Sequence, residues 1–270
     1  MSDRVRLEIT DGVADVSLNR PDKLNSLDPA MFEALVEAGR AVAADPAVRA
    51  VVLSGQGRAF CAGLDFGSFQ AMQESDPGSA ASSLVARGQG PANRAQLAAW
   101  VWREVPVPVI AAVHGYAYGG GLQIALGADI RLVAHDAQLS VMEVQWGLIP
   151  DMAGPTLLRH LVRLDVLKEL TFTGRIVDGV EAVELGLATG VSERPYYDAL
   201  ELARQIAARS PDAIRAGKHL LDTIPDLSVA DSLKLEESLQ LSLMGAPNQV
   251  EAVRARFEKR EPAFADPAEA

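Results

Sequence analysis

The sequence predicts an α/β fold followed by a helical C-terminal region. Three observations predict it. Strand and helix patterns alternate through the first two thirds of the chain, several strands are apolar throughout and so need cover on both faces, and from Pro195 onward the pattern is wholly helical. At 270 residues and 49% hydrophobic content, the chain can bury a full core without staples.

Val5 to Ile9 alternates, Asp11-Gly12 signals a tight turn and Val13 to Leu18 alternates again, so the chain opens with a hairpin. A helix starts at Asp28-Pro29, with Asp28 as N-cap and Pro29 in the first turn, and runs through Phe32, Leu35 and Val36 to about Ala44. Arg49 to Leu53 reads as a buried strand. Residues 67–91 are rich in Ser, Gly, Ala and Gln with a broken helical pattern, and are expected to line a pocket and shape specificity. A helix from Asn93 to Glu104, a strand from Val107 to Val113, a helix from Leu122 to Gly127 and a strand from Asp129 to Val133 follow, then a helix around Pro155 to Leu164. In the tail Ala199, Leu202, Ala203 and Ile206 share one helical face, as do Ile214, Gly217, Leu221 and Ile224. Two subregions are expected, a strand-containing core over 1–195 and a helical region over 196–270 that packs on the core or on neighbouring subunits.

Composition narrows the function. With 36 acidic against 25 basic side chains the net charge is -11, so a nucleic-acid partner is not expected, although a local basic patch can still hold a phosphorylated cofactor. A single cysteine, Cys61, leaves no disulfide framework and no multi-cysteine metal pattern, and no metal site is expected. No run approaches the roughly 18 apolar residues that span a membrane. The opening MSDRVRLEIT leads straight into a strand, without a signal or transit pattern, so the expected location is cytoplasmic.

Two glycine-rich loops follow buried strands. Ser54 to Asp65 (SGQGRAFCAGLD) is made of small residues that let a ligand approach backbone N–H groups, and Gly119-Gly120-Gly121 opens a helix whose free N–H groups favour negative charge. Either alone reads as a tight turn. Together they can form an oxyanion hole, and neither matches a nucleotide fingerprint. Cys61 reads as a small buried residue, and His114 as a group that orders its loop.

Asn19-Arg20-Pro21, Ser54 to Asp65, Val113 to Gly121 (VHGYAYGGG), Ala128 to Arg131 (ADIR), and Glu143 with Gly147-Leu148-Ile149-Pro150 fall in order along the chain, and this set resembles the crotonase, or enoyl-CoA hydratase/isomerase, superfamily. The resemblance implies a spiral of ββα turns and a C-terminal helical trimerisation region, assembled as a homotrimer or a dimer of trimers. It implies an acyl-CoA substrate and no cofactor beyond the CoA moiety. By motif position it makes the N–H groups of Ala62 and Gly120 the oxyanion donors and places Arg20, Lys23 and Leu24 at the CoA nucleotide, with Phe257 and Lys259 reaching CoA from a neighbouring subunit.

Hydratases of the superfamily use two glutamates, and the first of those positions is Gln123 here while the second is Glu143. A neutral amide orients water but cannot take its proton, so Gln123 and Trp146 are expected to position substrate and water. Glu143 with Asp151, eight residues on, resembles the acid pair of dienoyl-CoA isomerases; the third acid of those enzymes falls at Gln123. The implied activity is double-bond isomerisation of enoyl- or dienoyl-CoA, with hydration by Glu143 and Gln123 as an alternative and a non-catalytic CoA-binding subunit as another. Trp146, Leu148, Met142 and Met152 are expected to wall the acyl chain. Without the resemblance, Glu143 reads as a surface acid and Asp151 as the N-cap of the next helix.

Overall fold

In the computed structural model, residues 3–65, 67 and 90–267 are described. The segment 67–91, expected to shape specificity, lies outside them apart from Gly67, Gly90 and Pro91.

The hairpin forms as read: β1 (Val5–Thr10) and β2 (Val13–Leu18) pair antiparallel from Val5↔Leu18 to Thr10↔Val13. Asp11 and Gly12 both take positive φ, the turn whose twist matches the strands. Helix α1 (Pro29–Ala44) is capped by Asp28, which accepts from the Met31 N–H. Strand β3 (Ala50–Gly55) then lies parallel to β2.

Helix α2 (Arg94–Glu104) starts with a reciprocal cap between Asn93 and Gln96. Strands β4 (Val109–Val113), β5 (Tyr116–Tyr118), β6 (Ile130–Ala134), β7 (Gln138–Ser140) and β8 (Gly190–Ser192) complete the strands, with α3 (Gly120–Leu126) between β5 and β6. The main sheet runs β1-β2-β3-β4-β6-β8, parallel beyond the first pair. A second layer pairs β5 with β7, and single bridges Cys61↔Ala117, Leu27↔Leu64 and Leu139↔Val177 extend it. Each turn of chain thus adds one strand to the main sheet and a short extended piece to the second layer, the ββα spiral.

Both faces of the main sheet are covered. Val51 and Leu53 point into a large core with Leu35, Trp102 and Leu122, while Ala50 and Val52 point to the other face. There α7 (Pro195–Ala207) lays Ala199, Ala203 and Ala207 on Val13, Val52 and Ile110, small side chains at one-turn spacing that let the helix approach closely.

Between β7 and β8 the chain forms α4 (Gly154–Leu158), α5 (Leu164–Thr173) and α6 (Gly179–Leu185), where the sequence pattern indicated one helix. The tail continues as α8 (Pro211–Thr223), α9 (Val229–Leu243) and α10 (Pro247–Glu258). No residue of α9 is buried in the single chain, and Val229, Leu233, Leu241 and Met244 at its end are exposed. No helix among the described residues is long and apolar enough to cross a membrane.

Candidate active site

Parallel pairing of β3 and β4 brings the loops that leave their C-terminal ends side by side, the edge of a parallel sheet where ligands collect. The two loops meet through backbone. A Cβ on Gly121 would lie 2.2 Å from the Cys61 carbonyl oxygen, and one on Gly63, which has φ +86°, would lie 2.7 Å from the Tyr118 oxygen and 3.8 Å from the Gly120 nitrogen. Glycine is required at both positions for this approach.

Which amides remain free is decided by their neighbours. The Ala62 N–H donates to the Leu24 carbonyl at 3.0 Å, so the expected donor is engaged within the fold. The Gly63 N–H donates to the Cys61 sulfur, and the Asp65 N–H to the Leu27 carbonyl at 3.1 Å. Leu64 finds no acceptor for its N–H among the described residues, and neither does Gly120 at the first position of α3. Because Gly63 and Asp65 bond Leu27 on one side, the alternation of an extended backbone turns the Leu64 N–H to the other side, away from Leu27. The residue that motif position pointed to is thus two places short of the free amide.

Glu143 begins a 3-10 turn (Glu143–Trp146) after β7 and is only 9% exposed. Its Oε1 accepts from Gln123 Nε2 at 2.6 Å, while its Oε2 is buried with no partner. A Cβ on Gly119 would lie 3.3 Å from that Oε1, which puts the carboxylate against the start of α3. Burial raises the Glu143 pKa and the Asp151 charge adds to the rise, against the Gln123 bond that lowers it. Asp151 reaches solvent, yet the protein around it also raises its pKa by desolvation. It does not cap α4, whose N-cap position is Ala153.

Gln123 departs from its expected role. It is buried, and its Oε1 accepts the backbone N–H groups of Met152 at 2.8 Å and Gly154 at 2.9 Å, while its nitrogen faces Glu143. Its polar atoms serve the protein framework in place of a water. Of the expected apolar wall, Met152 is buried and, with Leu27, lies where a Cβ on Gly120 would be, at 2.7 and 2.8 Å. Trp146 and Leu148 are each 48% exposed.

The Arg20 guanidinium is already neutralised: Nη1 donates to Asp65 Oδ2 at 2.7 Å and lies 3.7 Å from Asp28. The pairing makes Arg20 a brace between its own turn and the loop that carries Asp65. Lys23 is exposed and Leu24, in left-handed conformation, supplies the carbonyl that takes Ala62. Asn25, which sequence reasoning passed over, is fully buried, accepts from the Arg20 N–H, and donates to the carbonyls of Gln56 and Ala59. Phe257, at 83% exposure, and Lys259 at the C-terminal cap of α10 project into solvent in the single chain.

The remaining candidates are structural. His114 bonds the Gly57 carbonyl at 3.0 Å, Asp129 holds the Val109 N–H and Lys218, and Cys61 is fully buried with its thiol pushed up to about 12 by desolvation. Among the described residues no group of three His, Cys, Asp or Glu could hold a metal ion. A cavity of about 580 Å³ between α2, α3 and α8, lined by Trp100, Leu126, Ile214 and Leu221, lies apart from these loops: none of Leu64, Gly120, Glu143 or Asp151 lines it.

A ββα spiral whose strand ends carry such loops marks the class, a crotonase-fold enzyme of acyl-CoA thioesters. The chain belongs to the enoyl-CoA hydratase/isomerase family, whose model matches residues 8–267. It is 33% identical over 260 residues to the mitochondrial enoyl-CoA hydratase domain-containing protein 2 of Mus musculus, covering 94% of this chain and 84% of that one. To the mitochondrial methylglutaconyl-CoA hydratase of Rattus norvegicus it is 31% identical over 260 residues, covering 94% and 79%. Among solved structures, the enoyl-CoA hydratase of Bacillus anthracis superposes with a TM-score of 0.89 at 28% identity, covering 98% of this chain and 100% of that one. The enoyl-CoA hydratase of Mycobacterium smegmatis does so with a TM-score of 0.85 at 30% identity, covering 97% and 99%.

Proposed function

We propose that this enzyme moves a double bond along an enoyl-CoA. The thioester oxygen is taken by the N–H groups of Leu64 and Gly120, each such donor contributing about 10² to 10³ in rate. Glu143 removes the C2 proton through Oε2, giving a dienolate. Asp151 returns a proton to C4, or farther along a dienoyl chain. One carboxylate has then gained a proton and the other lost one, and the exposure of Asp151 lets the pair reset through solvent.

The observation that supports isomerisation over hydration is the bonding of Gln123. Its oxygen is saturated by two backbone donors and its nitrogen faces Glu143, so the helix offers no second base to activate water. Hydration by Glu143 alone is the second reading, favoured by the hydratase names of the relatives. Following the chromophores of 2-enoyl-, 3-enoyl- and 3,5-dienoyl-CoA separates the two: growth of conjugation from 3-enoyl-CoA supports isomerisation, and water addition to 2-enoyl-CoA without any bond migration refutes it. Residues Lys23 and Leu24, with Phe257 and Lys259 from a neighbouring copy, are proposed to hold the CoA end. The exposed apolar side chains of α9 and α10 are proposed to be covered in a homotrimer or dimer of trimers, which light scattering of the purified protein tests; a monomer at micromolar concentration refutes it.

A further inference from the structure

We propose that Gln123 is a positioning residue that sets both acids at once, holding one oxygen of Glu143 so that the other is the working base, and fixing the backbone next to Asp151. The inference rests on the acid pair proposed above.

The argument starts from what an amide can do. A carboxamide oxygen accepts two hydrogen bonds and donates none. Here both bonds come from backbone, the N–H groups of Met152 and Gly154, so the amide cannot be turned over without setting N–H against N–H. Its nitrogen must therefore face Glu143, and Glu143 Oε1 must accept. A proton carried by Glu143 then has one address, Oε2, the buried oxygen that finds no partner in the protein.

Two glycines make room for the clamp. A Cβ at Gly154 would lie 2.7 Å from Gln123 Oε1, and one at Gly119 would lie 3.3 Å from Glu143 Oε1. Gln123 Oε1 accepts the N–H of Met152, next to Asp151, so the spacing of the two acids depends on one side chain rooted in α3.

The charge that acts on Glu143 comes from Asp151; Gly119, Gln123 and Met152 bring none. Helix α5 packs on the Glu143–Trp146 turn, and its charged groups are engaged outward, Asp165 with Arg163 and Glu169 with Arg175, while Lys168 lies in solvent. Burial is the largest influence on the proton affinity of Glu143; its own backbone N–H and then the Gln123 bond lower that affinity, so loss of the Gln123 bond raises it.

The test uses the full chain labelled with ¹³C at glutamate carboxyls, with Glu143→Gln to assign the signal, and two variants. Gln123→Leu removes donor and acceptor. Gln123→Glu keeps an acceptor for Met152 and Gly154 but sets a second carboxyl against Glu143 Oε1, so the two must share a proton. In Gln123→Glu the Glu143 signal should titrate at higher pH, with about tenfold or greater gain in proton affinity, and the acid limb of the pH-rate profile should move with it. Gln123→Leu should show the same direction and lose tenfold or more in kcat, with KM changed less than about twofold.

If Gln123→Leu fails to fold, Gln123→Glu still decides. A folded Gln123→Glu whose Glu143 titration and pH profile match the unaltered protein overturns the proposal. A shifted titration in a protein that turns over no enoyl-CoA, and does not exchange the C2 proton, supports the clamp and refutes the functional reading alone.

Discussion

Replacing Glu143 by Gln should remove activity and raise stability together. In the folded chain the carboxyl is 9% exposed, one oxygen accepts from Gln123 and the other accepts from nothing. Its folded pKa is raised above the unfolded value by burial, with Asp151 adding to the rise. Between the unfolded and folded pKa values the folded state holds more protons, so stability falls as pH rises through that window and stays reduced above it. A neutral glutamine escapes the loss. An unsatisfied buried charged oxygen costs about 1 to 3 kcal/mol, and the new amide nitrogen, itself without a partner, offsets part of the gain. The net is about 1 kcal/mol in favour of the variant, or about 2 to 4 °C in Tm for a chain of this size, present at pH 8 and absent at low pH. Turnover should drop by about 10² to 10⁴ if Glu143 is the base. Calorimetry at matched protein concentration at both pH values, with the chromophore assay beside it, measures the two effects. A variant less stable than the parent at pH 8, or one within tenfold of its activity, would refute the reasoning from burial.

Asp151→Asn should abolish bond migration yet leave wash-out of the C2 proton in D₂O, read by mass spectrometry; loss of both at equal rates would make Asp151 part of the first proton step. Asn25→Ala should destabilise the chain by about 2 to 4 kcal/mol, since it orphans the Arg20 N–H and the carbonyls of Gln56 and Ala59, and a loss of unfolding free energy below about 1 kcal/mol in a denaturant titration would count against that role. Cys61 should resist thiol reagents in the native protein and react on denaturation, because its thiol is buried and pushed up to about 12; stoichiometric labelling of the native chain would contradict this.

Much of the framework was legible because its causes are local. Asp28 and Asn93 cap their helices through their own side chains three residues on, Asp11-Gly12 turns the hairpin by its backbone preference, and the apolar runs of β3 and β4 announce a sheet covered on both faces. The three-residue strands β5, β7 and β8 were not read, since three residues carry too little periodicity to stand out. Helices α5 and α6 lie beyond what the apolar pattern around Pro155 to Leu164 indicates, because short helices carry too few turns to separate by periodicity.

At the site the sequence named the chemistry-bearing loops and left the working atoms undecided. Small residues after a buried strand are visible in a string of letters, and so is the glutamine at position 123. Whether Ala62 or Leu64 offers a free N–H depends on Leu24 and Leu27, which lie some forty positions away and reach the loop only when the second layer forms. Gln123 became a clamp through partners 20, 29 and 31 residues distant. Hydrogen bonds are short and each lone pair or N–H is used once, so long-range packing alone settles which groups stay open to a substrate.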